Sequence, residues 1–494
     1  MKSVFFKAEI VRTETDIIIV VFTNIYYNYE KRKINIINKK ERDIFIMSDN
    51  GKLFSRQNLI KLILPLLAEQ LLAVSVGLVD TLMVSQAGDA AISGVALVDN
   101  INRLIIQVMA AIATGGAVIC SQYIGRKDKH NAKRASAQLH MVMVLFALIV
   151  VAFALIFTGN IIGAVFGSVE EAVSRSATIY FTVTSLSYPF LAVYNAGAAV
   201  YRSEGNSSIS MRISVIMNVI NIVGNAVFVF GLNMSVLGVA LATDISRVVA
   251  AVVMFMFVMS KKHELAFDDI REFKPDTSMI GRILKIGIPS GIENGMFQIG
   301  KLLVVSMVAT FGTASIAANA VGYTIIDFAN IPGTSMGLAL ITLVGQCIGA
   351  DKKDQARYYT KLSLKIAYVG DWSSKAVLFI FAGFFAACFN LSPEAYAIAV
   401  KILRCFCIAS IPVWPLSFTL PNALRAAGDV NFTMLVSIIS MWVFRVGSSY
   451  LLGVFLNMGV LGVWCGMFID WFARSVCFVT RYVSGKWLRK KALV

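Results

Sequence analysis

The sequence predicts an all-α polytopic membrane protein, with twelve transmembrane helices in two parallel six-helix repeats that form two lobes around a central cavity. Three observations carry that prediction. Of 494 residues, 57% are hydrophobic and only 15% charged, and the mean hydropathy of +0.73 lies outside the range of soluble globular chains. Apolar runs near or above the roughly 20 residues that cross a bilayer recur from about Leu59 onward. One of these runs returns later in the chain at a constant spacing.

The twelve spans are expected at about 59–84, 92–120, 138–160, 177–200, 211–231, 236–259, 283–310, 315–346, 362–386, 398–423, 432–455 and 459–482. The first carries a proline and two carboxylates, Glu69 and Asp80. These lie eleven residues apart, about three helical turns, so both project from one face roughly 16 Å apart along the axis. Pro289, Glu293, Met307, Val308 and Gly312 repeat Pro65, Glu69, Met83, Val84 and Gly88 at a shift of 289 − 65 = 224, but Val304 stands where Asp80 would recur.

The repeat extends past that span. Gln122-Tyr123-Ile124-Gly125 matches Gln346-Cys347-Ile348-Gly349 at 346 − 122 = 224, and Arg202 and Gly205 match Arg425 and Gly428 at 425 − 202 = 223. Asn233-Met234 with Leu237-Gly238-Val239 match Asn457-Met458 with Leu461-Gly462-Val463 at 457 − 233 = 224. An even number of spans per repeat keeps the two halves in the same orientation, and places a substrate cavity between lobes that rock to give alternating access. The expected organisation is an N-terminal extension over 1–46, a first lobe over 47–260, a linker over 261–282, a second lobe over 283–485 and a basic tail over 486–494.

Residues 1–46 differ from the rest, being rich in Ile, Asn, Lys, Tyr and Glu. Their apolar run Ile17 to Thr23 is too short to span, and no small-residue cleavage site follows it. The functional chain is expected to start near Met47.

A net charge of +16 raises the question of nucleic acid, but the basic residues collect on alternate loops, among them Arg126 to Arg134, Lys261 to Lys274 and Lys352 to Lys361, and on the tail. Opposite loops such as 85–89 and 456–459 have no Lys or Arg. This is the positive-inside pattern of a multi-pass protein of the inner (cytoplasmic) membrane with both termini cytoplasmic. No nucleic-acid partner is expected. The seven cysteines sit in or beside apolar runs at spacings that match neither a disulfide framework nor a zinc site.

Several of these segments together resemble one family. P-x14-V-D-T-L-M-V over Pro65 to Val84, the Q-Y-I-G and Q-C-I-G signatures, the two R-x-x-G ends and N-x2-N-x3-N-x5-G over Asn218 to Gly231 are similar to those of the multidrug and toxin extrusion (MATE) transporters. The resemblance runs from about Met47 to the C-terminus. It implies a secondary active antiporter that exports cationic or amphipathic organic compounds, often aromatic, in exchange for H+ or Na+. It also places cation coupling at Asp80, with Na+ as a candidate ligand, and surrounds it with Asn195, Asn221, Asn225 and Thr243. Asn225 departs from the family pattern, which commonly has a second aspartate there. Asp244, beside Thr243, is expected to pair with Arg247.

A charge near the bilayer centre costs on the order of 2.5–3.5 kcal/mol, so each one calls for a role. Glu69 and Glu293, one turn after Pro65 and Pro289, are candidates for drug attraction or gating, with a polar contact between helices as the alternative. Arg103 and Asp327 are equivalent across the repeat, 327 − 103 = 224, and opposite in sign. They are expected to pair in one state and separate in another, although Asp99 offers Arg103 a local partner. Lys301 has Asp327 as its expected partner, in a structural salt bridge or a proton relay. Asp371 with Lys375 and Asp470 with Arg474 read as structural i,i+4 pairs. Phe297, Tyr323 and Trp414 are the aromatic candidates for cation-π contact with a substrate.

No phosphate-binding loop is present, which argues against direct ATP coupling. The alternative transport reading is a lipid-linked saccharide flippase of a related superfamily, in which Arg103, Lys301, Arg404 and Arg445 would meet a pyrophosphate. A membrane-embedded enzyme is a distant alternative, since His130, His140 and His263 are the only histidines and no H-E-x-x-H occurs. No cofactor is expected beyond the coupling ion. The expected partners are small-molecule organic cations and the lipid bilayer, with a monomer as the working unit.

Overall fold

In lipid every backbone polar group needs an internal partner, which leaves the helix as the spanning form for apolar runs of this length. The computed structural model describes residues 52–84, 89–166, 170–260, 265, 273–490 and 492–494, without the side chains of 78–82, 84, 89, 90 and 164–166. The described helices all lie within the unit Arg56–Val494. The expected 1–46 extension lies outside the described residues, as do Lys261, Lys262 and Arg271 of the linker.

The first repeat contains α1 (Arg56–Val84), α2 (Asp89–Gly125), α3 (Lys129–Phe166), α4 (Glu171–Leu186), α5 (Tyr188–Ser203), α6 (Ser207–Asn225) with a π turn over Ala226–Gly231, and α7 (Ser235–Val258). The second contains α8 (Thr277–Ala309), α9 (Thr313–Ala329), α10 (Ile331–Gly349), α11 (Lys353–Ile380), the short α12 (Ala382–Ala387) and α13 (Pro393–Ser410). A π turn over Pro415–Thr419 leads into α14 (Leu420–Ala426), and α15 (Val430–Ile439), π segments over Ser440–Gly447 and Tyr450–Phe455, and α16 (Gly459–Val483) complete it. No strand occurs among the described residues.

Among the described residues nine helices are long and apolar enough to cross a bilayer, and ten if α13 and α14, bent by 70°, form one span. The other two expected runs are helical but differ for physical reasons. The fourth is divided into two 16-residue helices at Ser187, where Pro189 in the first turn of α5 cannot continue α4, and the eighth, of which only α10 is counted, is divided in the same way at Asn330 by Pro332. The ninth, α11, carries Lys365, Asp371 and Lys375 within its span.

Each half has its own apolar interior. Val98, Phe181 and Val239 centre one cluster of the first half and Tyr194, Tyr201 and Met254 another. Phe406, Trp414, Trp464 and Trp471 centre that of the second. Asp371 and Lys375 are wholly buried in this second interior and paired at 3.0 Å, as their i,i+4 spacing predicts.

The halves meet at the end that bears the basic loops, through the two repeated signatures. Each R-x-x-G is a helix stop. Gly205 and Gly428 take φ of 86° and 84°, a left-handed conformation that glycine adopts without strain, and their N–H groups bond back to Arg202 O and Arg425 O at 2.9 Å each. A helix end leaves carbonyls without intrahelical donors. The glutamine of the opposite half fills them: Gln346 donates to Ser203 O at 2.7 Å and Gln122 to Ala426 O at 2.9 Å. Gly125 and Gly349 let the two signatures cross, since a Cβ on either would collide with the backbone carbonyl of Gln346 or Gln122. The basic-loop end is therefore closed by reciprocal contacts between equivalent residues.

Candidate functional site

Behind this closure a cavity of about 910 Å³ lies between the halves. It runs from Glu293 and Arg425 at its deep end to Val308 and Ile316 near the end of the molecule away from the basic loops. Helices α1 and α2 form the wall from the first half. α8, α9, the α14 segment and α16 form the wall from the second.

At the deep end, Glu293 accepts a hydrogen bond from Arg425 Nη2 at 2.6 Å, with the carboxylate 6% exposed. The first half repeats the pair, Arg202 Nη1 donating to Glu69 at 3.3 Å. Both arginines stand in the last turn before the glycine stop, and both glutamates lie one turn after a proline. The second oxygens differ. Glu69 Oε2 accepts from Ser210 Oγ at 3.0 Å, whereas Glu293 Oε2 has no hydrogen-bond partner among the described residues. The residue equivalent to Ser210 is Thr433 (433 − 210 = 223), and its hydroxyl donates to Val430 O at 2.8 Å. Thus Glu293 lines the cavity with one oxygen unsatisfied, while Glu69 is held among helices and is not part of the lining.

In the first half, three of the expected coupling residues form a chain. Asn225 Nδ2 donates to Asn221 Oδ1 at 3.4 Å, and Asn221 Nδ2 to Thr243 Oγ1 at 3.3 Å. Asn195 is half-buried and joins none of them by a hydrogen bond among the described residues. The side chain of Asp80 lies outside the described residues. Asp244 and Arg247 do not close to ion-pair distance as expected. Arg247 instead donates to Ser187 Oγ at 2.8 Å, the hydroxyl at the α4–α5 break.

Asp99, Arg103, Lys301 and Asp327 all line the cavity. Arg103 and Asp327 are exposed to it and within electrostatic reach of one another, but no contact under 4 Å joins them or joins Arg103 to Asp99 among the described residues. Lys301 also departs from its expected partner. No salt bridge to Asp327 forms, and Lys301 Nζ sits 4.6 Å from the centroid of the Tyr323 ring.

The second-half wall holds a set of contacts that cross four chain segments. Arg445 Nη2 donates to the Tyr323 hydroxyl at 3.1 Å, and its guanidinium lies 5.4 Å from the centroid of Phe297. Arg474 lies 5.2 Å from the centroid of Phe297 and 5.4 Å from that of Phe418. Both arginines share Asp470, at 3.2 Å from Arg474 and 3.8 Å from Arg445. Ser440 Oγ also donates to Asp470. Asp470 with Arg474 was legible as an i,i+4 pair, but the second arginine was not, because Arg445 reaches it from a π segment. Trp414 stacks on Phe418 with centroids 5.1 Å apart, and Lys375 lies 5.4 Å from its ring. Arg404 lies apart, over Phe379 at 6.0 Å.

The MatE family model matches residues 65–227 and 289–451, two stretches displaced by 289 − 65 = 224, the spacing of the sequence repeat. Among curated relatives, the uncharacterized transporter YisQ of Bacillus subtilis is 29% identical over 440 residues, covering 88% of this chain and 95% of its own. The probable multidrug resistance protein NorM of Thermotoga maritima is 26% identical, covering 89% and 94%. Among solved structures, a MOP superfamily transporter from Pyrococcus furiosus, reported for the reverse polarity of its binding pocket, superposes with a TM-score of 0.82 at 22% identity over 88% of this chain and 96% of that one. A multidrug resistance MATE family transporter in an outward-facing conformation superposes with a TM-score of 0.80 at 22% identity, covering 88% and 96%.

Proposed function

Because the chain belongs to the MatE family of efflux transporters, we propose that it is a secondary active antiporter that exports amphipathic organic compounds in exchange for H+ or Na+. The observation that carries this reading is the placement of one closure and one cavity. The repeated Q-x-I-G and R-x-x-G segments seal the basic-loop end, and the cavity of about 910 Å³ lies between the same two halves on the other side of that seal. The halves are also joined by packing of α2 against α8 and α10, and alternating access by rocking has the glycine crossing and its hydrogen bonds part while the halves meet at the opposite end.

In this reading the halves divide the work. The first half holds the coupling ion at Asp80, with Asn195, Asn221, Asn225 and Thr243 as the further oxygen donors; amide and hydroxyl oxygens suit either Na+ or a protonated carboxyl. Uptake of the ion favours the drug-releasing state, and its differential affinity for the two states drives the cycle. Arg103 and Asp327, apart in this state, close on one another in the other. Glu293 gives a carboxylate oxygen at the deep end. The first lobe spans 47–260, the linker 261–282 and the second lobe 283–485, in the inner membrane with both termini cytoplasmic. The working unit is a monomer, and neither a chemical conversion nor a cofactor enters the cycle.

Of the two substrate descriptions drawn from sequence, cationic and amphipathic, the cavity supports the second. Its cationic second-half wall also favours, as a second reading, a flippase for an acidic lipid-linked saccharide. Gradient-driven efflux from proteoliposomes tests the antiport reading: an aromatic amphiphile leaves against its gradient when H+ or Na+ is allowed to run down, and a rate unaffected by either ion gradient opposes it.

A further inference from the structure

The three aromatic residues expected to receive an organic cation already carry cations of the protein. Phe297 meets the guanidinium groups of Arg445 and Arg474, Tyr323 meets the ammonium of Lys301, and Trp414 meets that of Lys375. A ring face binds a cation through its quadrupole, and a resident positive charge against the ring opposes the approach of a second one. The same contacts order the cations into a row from Lys301 through Tyr323, Arg445 and Phe297 to Arg474.

The row is short of negative charge. Asp470 is one carboxylate within ion-pair distance of two arginines that are each nearly wholly buried. Among the described residues the Nε of Arg445 has no hydrogen-bond partner. Lys301, which lines the cavity, has no carboxylate within 4 Å among the described residues, although Asp327 is in electrostatic reach. Beyond Lys301 the wall turns apolar, with Val305, Val308 and Ile316 toward the end away from the basic loops. A cationic, aromatic-backed surface that continues into an apolar one matches a compound with an anionic head and an apolar body.

We propose that the second-half wall of the cavity binds an amphipathic organic anion, its carboxylate, sulfonate or phosphate head at Lys301, with the positive charge of Arg445 and Arg474 behind it, and its apolar body along Val305, Val308 and Ile316. This assignment of substrate class rests on the exporter reading and concerns the same cavity. Arginine and lysine recognise an oxyanion through charge-assisted hydrogen bonds, which gain strength in a site screened from water. A free amphiphile and an anionic lipid headgroup share this chemistry.

The test uses the full chain in phosphatidylcholine nanodiscs and two probes of matched size and opposite charge, naphthalene-2-sulfonate and naphthalen-2-yl-trimethylammonium. The sulfonate is expected to bind at least about tenfold more tightly. Lys301→Gln is the informative variant, because among the described residues no carboxylate lies within 4 Å of Lys301 to be stranded. It is expected to weaken sulfonate binding at least about fivefold and leave the ammonium unchanged. Equal or tighter binding of the ammonium, or sulfonate binding unaltered in Lys301→Gln, overturns the proposal. Displacement of the sulfonate by phosphatidylglycerol supports a lipid head as the source, and its retention supports a free amphiphile. In proteoliposomes, gradient-driven movement of the ammonium without the sulfonate overturns the anion assignment and leaves the exporter reading intact. Selective sulfonate binding without gradient-driven movement of either probe does the reverse.

Discussion

Glu293 and Arg425 are bonded at 2.6 Å across 132 residues of chain, and Glu69 and Arg202 repeat the relationship at 3.3 Å across 133. Four motif residues thereby become two equivalent braces, each tying the long helix with an internal proline to the helix that stops at a left-handed glycine. The two braces sit beside the glutamine contacts that seal the basic-loop end, so helix ends, ion pairs and closure are one construction used twice.

Removing one partner of such a pair leaves a charge in a poorly solvated site. Glu293→Gln is expected to lower stability by about 3–5 kcal/mol, the range for breaking a buried pair. Glu293→Gln with Arg425→Met is expected to recover a substantial part. Thermal unfolding of the detergent-solubilised protein checks both, and a double variant no more stable than the single one contradicts the brace.

The glycine crossing allows no side chain. Gly349→Ala places a methyl group against the Gln122 carbonyl and is expected to part the basic-loop end. Cys347, wholly buried beside it, reports the change. Its labelling by a membrane-permeant maleimide is expected to rise at least about tenfold, as for any group that moves from a protected to an open state.

The C-terminal tail is tied to the same end. Leu493 N donates to Gln122 Oε1 at 2.9 Å, Lys490 pairs with Asp429 at 2.9 Å, and Trp487 is buried against Tyr482 with ring centroids 5.4 Å apart. Burial by itself raises the Asp429 carboxyl, but hydrogen bonds from Arg481 and Lys490 more than offset it and hold it below its ordinary value. A depressed folded-state pKa means that the contribution is fully present above the unfolded carboxylate value of about 3.9 and is lost as pH falls through the lower folded value. Iodide quenching of Trp487, taken as the difference from Trp487→Phe, is expected to stay low from neutral pH to about pH 4 and to rise below it. Asp429→Asn is expected to show the raised quenching already at neutral pH.

Arg103 and Asp327 are equivalent residues of opposite sign that face one cavity without touching. Arg103→Asp or Asp327→Arg alone is expected to slow efflux at least about tenfold, and the exchange of both to restore part of the rate, because the coupling of a true pair survives reversal. A double variant no better than either single one shows that the pair is not direct.

The shift of 224 made the two-half architecture and most helix positions legible, since a repeated apolar frame needs no tertiary information. The R-x-x-G segments were legible as helix ends and the Q-x-I-G segments as a repeated signature, but not as partners, because each glutamine fills a carbonyl at the helix end of the other half. Glu69 and Glu293 were placed one turn after a proline, yet their arginines lie on helices remote in sequence. The cation and ring contacts around Phe297 were illegible for the same reason: α8, α9, a π segment and α16 each contribute, and π turns shift side chains off the register that helical spacing predicts. Lys301 shows the limit most clearly. Its charge called for a carboxylate, and the fold set it on a tyrosine ring.

The most direct test of the exchange mechanism is efflux of an aromatic amphiphile from proteoliposomes under an imposed pH or Na+ gradient, compared between the unaltered chain and Asp80→Asn. Gradient-dependent efflux is expected from the unaltered chain, reduced to the passive leak in Asp80→Asn. Gradient-driven efflux unaltered in Asp80→Asn would contradict that mechanism.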